Sequence, residues 1–307
     1  MVLDLHTHST FSDGSDTPTQ LAEKAHDLGI SAISLTDHDT TLSHHEMSAA
    51  CTRLGLELVT GVEVSLRDTE FPRMRDGVTK ARNVHVLAYF LPLDAEHPLQ
   101  QKLASLRHDR DSRNHALVTL LQEKGFEDLT LAYLTEMTGN VDSIGRPHFA
   151  RAMIDLHPEL IGEQNDETWN RVFIDWLGTD GAAYVSKTSM PIEEFVEAAN
   201  GSGTVFSIAH PLVNYVDEIN PTSIETTMPR VMASLRERGF AGIEAHYGGT
   251  SAGIRALMVK LTRDAGMIPT GGSDYHGTYK TDVQLGFGRT GDLRVPDEIL
   301  DELKAAR

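Results

Sequence analysis

With 307 residues, the chain can bury one large α/β core or a core carrying an inserted cap, and it is far too long for a disulfide-stapled miniprotein. Forty-five acidic against 27 basic side chains leave a formal charge of −18, which argues against a grip on long duplex nucleic acid. A lone Cys51 makes neither an internal disulfide nor, by itself, a thiolate zinc site, and no apolar run approaches the roughly 20 residues of a membrane helix.

The opening segment MVLDLHTHSTFSDGSD has no basic stretch followed by an apolar run, so it does not read as a secretory signal, and cytoplasm is the expected compartment. Residues 2–5 read as a strand. Thr17, Pro18 and Gln20 then supply a capping-box start for a helix over 18–28, which Gly29 stops. A strand over 32–35 follows, and this rhythm implies βαβ units with a parallel sheet. A helix over 44–54, a strand in LELVTGVEVS and a strand over 83–89 continue it. Between the last two, Arg67, Arg73, Arg75, Lys80 and Arg82 outnumber Asp68, Glu70 and Asp76; this stretch reads as a solvated hairpin, with a substrate rim as the alternative.

From Pro92 to Gly178 the strand signal fades. Helical patterns over 99–124, 131–137, 149–156 and 167–177 read as an inserted cap, residues 92–178, between barrel segments 1–91 and 179–307. The alternation then returns: helix 192–199, strand TVFSIAHP, helix 229–238, strand FAGIEAH, helix 252–265, strand MIPTGG and a closing surface helix in DEILDELKAA. No internal repeat or low-complexity tract interrupts it.

Fifteen histidines are unusual, and several sit just past apolar runs. Strand ends carry His6-Thr7-His8, Thr36-Asp37-His38-Asp39, Gly61-Val62-Glu63, His85, Ala209-His210-Pro211 and Gly272-Ser273-Asp274-Tyr275-His276. In a parallel α/β barrel, strand C-termini converge on one face, and residues two apart on an extended segment point the same way. One such histidine alone reads as a hydrogen-bonded structural residue; six coincidences point to a multinuclear metal site for zinc, manganese or iron. The Gly pairs precede neither a Walker lysine nor a dinucleotide fingerprint, so triphosphate chemistry is not indicated. His26, His44, His45, His97, His108, His115 and His157 lack strand-end context and read as surface residues.

HTHSTFSDGSDTP, SLTDHDT, GVEVS, VHVLAY, IAHP and GGSDYH together resemble the motifs of the PHP (polymerase and histidinol phosphatase) family over roughly residues 1–91 and 184–290. The resemblance implies a distorted (βα)7 TIM-like barrel, here with a helical insertion, and a trinuclear centre of divalent metal ions. It implies one ion at His6, His8, Glu63 and Asp274, a second at Glu63, His85 and His210 with Glu63 bridging, and a third at Asp13, His38 and His276. Glu63, His210, Asp274 and His38 form the implied catalytic set, with a metal-activated hydroxide attacking phosphorus in line with the leaving oxygen.

Asp37 and Asp39 are candidates to orient His38, or simple turn residues. Arg146 and His148 of the Gly-Arg-Pro-His segment, and Lys187, are the expected substrate-binding residues; His246 lines the pocket or is a rim histidine, with Tyr247 offering a ring to a base. The expected partner is a small phosphorylated molecule, a nucleoside bisphosphate, a monophosphate or a short oligonucleotide end. Long duplex nucleic acid and membranes are not expected, and nothing points to a protein partner. Alternative readings are a histidinol-phosphate phosphatase, a non-catalytic metal-binding module, and C–N hydrolysis in an amidohydrolase-like barrel, which normally needs only two ions.

Overall fold

The computed structural model describes residues 2–75, 77–139, 143–178, 180–186 and 189–307. In chain order the elements are β1 (Val2–Thr7), α1 (Pro18–Asp27), β2 (Ile30–Leu35), α2 (His44–Leu54), β3 (Glu57–Arg75) and β4 (Val78–Tyr89). Then come α3 (Pro98–Glu123), α4 (Leu131–Thr138), α5 (Arg146–Leu156), α6 (Pro158–Ile161), α7 (Asp166–Val172) and a π-helical turn (Phe173–Leu177). The remainder is β5 (Met190–Pro191), α8 (Ile192–Ala198), β6 (Val205–Ile208), α9 (Pro211–Tyr215), α10 (Pro221–Glu237), β7 (Gly242–Tyr247), α11 (Ala252–Asp264), β8 (Ile268–Gly272), a 3-10 turn (Gly277–Tyr279) and α12 (Glu298–Ala305).

Seven strands run β1-β2-β3-β4-β6-β7-β8 around the sheet, with two-residue β5 attached to β3. Behind β8 the chain returns to β1, where Asp274 donates its N–H to the His6 carbonyl and His8 donates to that of Tyr275, so the sheet nearly closes into a barrel. The expected all-parallel sheet is corrected at β4, which is antiparallel to both β3 and β6. Only two residues separate β3 from β4, too few for the crossover of a dozen residues or more that a parallel pair needs. The helix expected over 229–238 begins earlier, at Pro221, with Asn220 capping it and Pro229 inside it.

The barrel core is the wall of Val, Leu and Ile from β3, β4 and β6 against α8 and α10. Residues of the inserted helices, among them Leu117, Leu121, Phe126, Phe149 and Met153, form a separate buried cluster. α3 joins the two bodies: Leu99, Leu103 and Leu106 pack into the barrel core, whereas Leu117 and Leu121 lie in the other. One continuous helix, α3, therefore contributes to both buried clusters.

The tip of the β3–β4 hairpin is exposed, with Met74 75% and Val78 54% accessible. Arg73 pairs there with Asp217, itself exposed, and Arg82 donates to the carbonyls of Phe71 and Asn214 while also lying 3.6 Å from Asp217. Arg73→Ala with Arg75→Ala is expected to leave phosphate-release rates within about twofold, since exposed ion pairs contribute little; a tenfold loss would make the hairpin a substrate rim.

Candidate metal centre

Each strand-end residue reaches the site through a local feature of its strand. Among the described non-glycine residues, positive φ occurs at Asp39 (55°), Phe90 (57°), His210 (28°) and Asp274 (59°). Three of these four lie at the site, and such strain, of order 1–3 kcal/mol each, persists only where neighbours hold it. Here they do: His210 donates its N–H to Glu244 Oε2 at 2.6 Å, and Ser65 donates to Asp39 Oδ1 at 2.9 Å. Gly272 is required because a Cβ there would lie 2.4 Å from that of His6.

The nine residues expected to hold metal converge. His6 Nε2 and His8 Nε2 lie 3.3 and 3.2 Å from Glu63 Oε2, and each is 3.5 Å from Asp274 Oδ1. Glu63 Oε1 is 2.8 Å from His85 Nδ1 and 2.9 Å from His210 Nε2. Asp13 lies 3.3 Å from His276 Nε2 and 3.5 Å from His38 Nε2. Three subsets could each hold an ion: His8, Asp13, His38 and His276; His6, His8 and Glu63; His38, Glu63 and His85.

The donor set fits metal for two reasons. His6 Nε2, His8 Nε2, Asp13 Oδ1 and His38 Nδ1 are buried without a hydrogen-bond partner, a costly state unless something else binds them. The 3.2–3.5 Å spacings of His6 and His8 from the carboxylates also match the edge of about 3.3 Å of a tetrahedron with metal–ligand arms of about 2.0–2.1 Å. Burial would push the carboxyls of Asp13, Glu63 and Asp274 up, but the imidazoles around Asp13 and Glu63, and Lys280 followed by the imidazoles at Asp274, outweigh it and hold all three well below the usual range. They therefore stay ionised.

A second layer aims the rings. Glu244 Oε1 accepts from His6 Nδ1 at 2.7 Å, which leaves the Nε2 lone pair facing the centre, and the Asp274 carbonyl does the same for His276 Nδ1 at 2.8 Å. His8 Nδ1 contacts Ser12 Oγ, which in turn donates to Asp37. Asp37 thus serves His8 through Ser12, and Asp39 is engaged by Ser65 and by Arg110 of α3. Tyr247 Oη and Lys280 Nζ both donate to Asp274 Oδ2, at 3.1 and 2.7 Å, leaving Oδ1 for the imidazoles. Glu244→Gln is expected to weaken metal affinity about 10–100-fold, as loss of an orienting carboxylate does; titration of the metal-free protein measures this, and unchanged affinity would make Glu244 a packing residue.

The expected substrate residues land differently from one another. Arg146, first in α5, is exposed on a cavity of about 360 Å³ beside the centre. His148 instead caps α5 from within, its Nδ1 accepting the Gly145 N–H at 3.0 Å, and burial pushes its imidazole down to about 4. Lys187 lies outside the described residues. His246 is corrected: a bulge sets Glu244 opposite Thr270 and His246 opposite Gly271, so His246 leaves the inner face and lines neither the metal cavity nor the arginine cavity. The bulge also turns Tyr247 inward, against the His210 ring at 5.7 Å and onto Asp274, so it builds the centre. His44 and His157 are buried, not surface, residues; His44 Nε2 lies 2.7 Å from the Gly61 carbonyl.

Glu244, Lys280, Arg110 and Arg113 were not anticipated. Glu244 had a visible signal, a carboxylate within the apolar strand FAGIEAH, costly to bury unless bonded. Arg110 and Arg113 are buried on α3 and share the 360 Å³ cavity with Arg146. Their Nε atoms have no acceptor, and burial followed by the like charges of Arg110 and Arg146 pushes the Arg113 guanidinium down from its ordinary value. Such a cluster favours an anion.

The PHP-domain profile matches residues 4–178 of this chain. A 3′,5′-nucleoside bisphosphate phosphatase of Chromobacterium violaceum is 30% identical over 276 residues, 89% of this chain and 87% of that one. A 5′-3′ exoribonuclease of Haemophilus influenzae is 27% identical over 274 residues, 89% of each. The crystal structure of a Bifidobacterium adolescentis protein described as a metal-dependent phosphoesterase superposes with a TM-score of 0.76 at 26% identity, covering 99% of this chain and 96% of the other.

Proposed function

The chain belongs to the PHP-domain family and is a metal-dependent phosphoesterase, and on that premise we propose that its substrate is a small nucleotide carrying a phosphate besides the one removed. The observation that carries this reading is the arginine cavity. It shares Asp13, His38, His85 and His210 with the metal cavity, so a ligand with one phosphate at the centre can extend a second to Arg110, Arg113 and Arg146. A nucleoside 3′,5′-bisphosphate or the phosphorylated end of a short oligonucleotide meets that description. Histidinol phosphate has one phosphate and leaves the arginines without an anion. Relatives named for nucleoside bisphosphate and RNA support the same class.

His6, His8, Glu63 and Asp274 would hold one ion, Glu63, His85 and His210 a second, and Asp13, His38 and His276 a third. Ions seated there would make water nucleophilic near neutral pH and offset charge on the phosphoryl oxygens. The protein's own part is geometric: Glu244 and the Asp274 carbonyl fix two imidazole tautomers, Lys280 and Tyr247 hold Asp274, and the arginines orient the second phosphate.

The test is a phosphate-release screen over adenosine 3′,5′-bisphosphate, adenosine monophosphate, a 5′-phosphorylated oligonucleotide and histidinol phosphate, with metal analysis of the same sample. Turnover of the bisphosphate or oligonucleotide is expected, with close to three ions per chain, and chelation should lower it by about 100-fold or more until divalent metal is restored. Preference for histidinol phosphate would replace the nucleotide reading. Protein that never takes up metal would end it.

A further inference from the structure

One aromatic pair is unused by the metal centre and by the arginines. Trp169 of α7 and Tyr279 of the 3-10 turn lie nearly parallel, ring centroids 6.2 Å apart and planes 20° apart, and Phe173 stands 5.7 Å from Trp169. All three are only half-buried and wall the same cavity of about 210 Å³ as Asp13, Glu63 and Asp274. Trp169 and Tyr279 also wall a polar cavity of about 560 Å³ that includes Gln164, Asn165 and Asn170. Trp169 is one of only two tryptophans; the other, Trp176, packs edge-on against Phe126 in the cap core.

Flat, half-buried rings that line the metal cavity next to amide side chains suit a planar heterocycle, stacked on its face and hydrogen-bonded at its edge. Resting on the nucleotide reading above, we propose that the Trp169–Tyr279 pair is a stacking platform for a nucleobase, in the cavity that the metal-centre residues also line. Tyr279 lies three residues beyond His276, so the barrel wall of the platform is tied to the metal centre, while Trp169 brings the cap's contribution. Specificity for the base thus depends on cap and barrel together.

The test follows the emission of Trp169 in a Trp176→Phe background of the metal-loaded protein. Adenosine 3′,5′-bisphosphate is expected to quench it, whereas an abasic ribose bisphosphate of equal charge is not. A 5′-phosphorylated adenine dinucleotide that quenches where the bisphosphate does not would assign the platform to the neighbouring base, which still supports it. In turnover, Trp169→Ala should raise KM for the adenine substrate about 10–100-fold, change kcat little and leave KM for the abasic compound alone, with Trp169→Phe restoring most of the loss. No quenching by either adenine ligand, or equal KM increases with and without the base, would overturn the proposal and make the pair a latch between cap and barrel. Quenching without phosphate release would leave the platform standing and remove the proposed reaction instead.

Discussion

Glu63→Gln is expected to lower kcat/KM for phosphate release by about 1,000-fold or more while the barrel stays folded. Among the described residues, Glu63 is the one carboxylate within 3.3 Å of five imidazoles: Oε2 faces His6, His8 and His38, and Oε1 faces His85 and His210. An amide keeps the volume of the side chain but offers one neutral oxygen in place of two anionic ones, so it cannot bridge two cations. Metal assistance supplies several kcal/mol of transition-state stabilisation, and each 1.36 kcal/mol is tenfold in rate. Circular dichroism checks the fold, and metal analysis should show a lower content. Wild-type turnover at full metal content would refute the bridging role.

Asp39→Ala should have the largest effect on stability. Asp39 is fully buried and is the carboxylate to which Arg110 Nη2 donates, and Arg110 is buried as well. Removing the anion leaves Arg110 in a low-dielectric site beside Arg113 and Arg146, and breaking a buried pair from one side costs about 3–5 kcal/mol. Arg107 also donates to the Asp39 carbonyl at 3.0 Å, so the same residue anchors α3 at two points. Urea unfolding of the metal-free protein measures the loss. Adding Arg110→Met should recover part of it by removing the stranded charge, yet weaken binding of any substrate that needs the arginine cavity. A loss under 1 kcal/mol in the single variant would mean that solvent reaches the guanidinium.

Most elements were legible because periodicity and caps are local. The Thr17–Gln20 capping box predicts the start of α1, and both of its reciprocal bonds are present. The polar hairpin was legible as a hairpin, but not its consequence for strand direction, because pairing partners are chosen by the whole sheet. His246 shows the same limit at one residue. Strand alternation puts it beside Glu244 on the inner face, and only the extra residue at the β7 bulge, set by register against β8, turns it away and brings Tyr247 in.

The histidines and carboxylates at strand ends were readable as candidates from the sequence, because a polar residue at the end of an apolar strand needs a reason to be there and six such ends share one need. That they converge, with Glu63 central and Glu244 behind His6, depends on barrel closure between β8 and β1, a contact between residues more than 260 positions apart. Arg110, Arg113 and Trp169 lay within helical patterns that a solvated face or a local core would produce equally well. Their meaning came from where α3 and α7 place them over the strand ends, since helix periodicity specifies a face but not what the face meets.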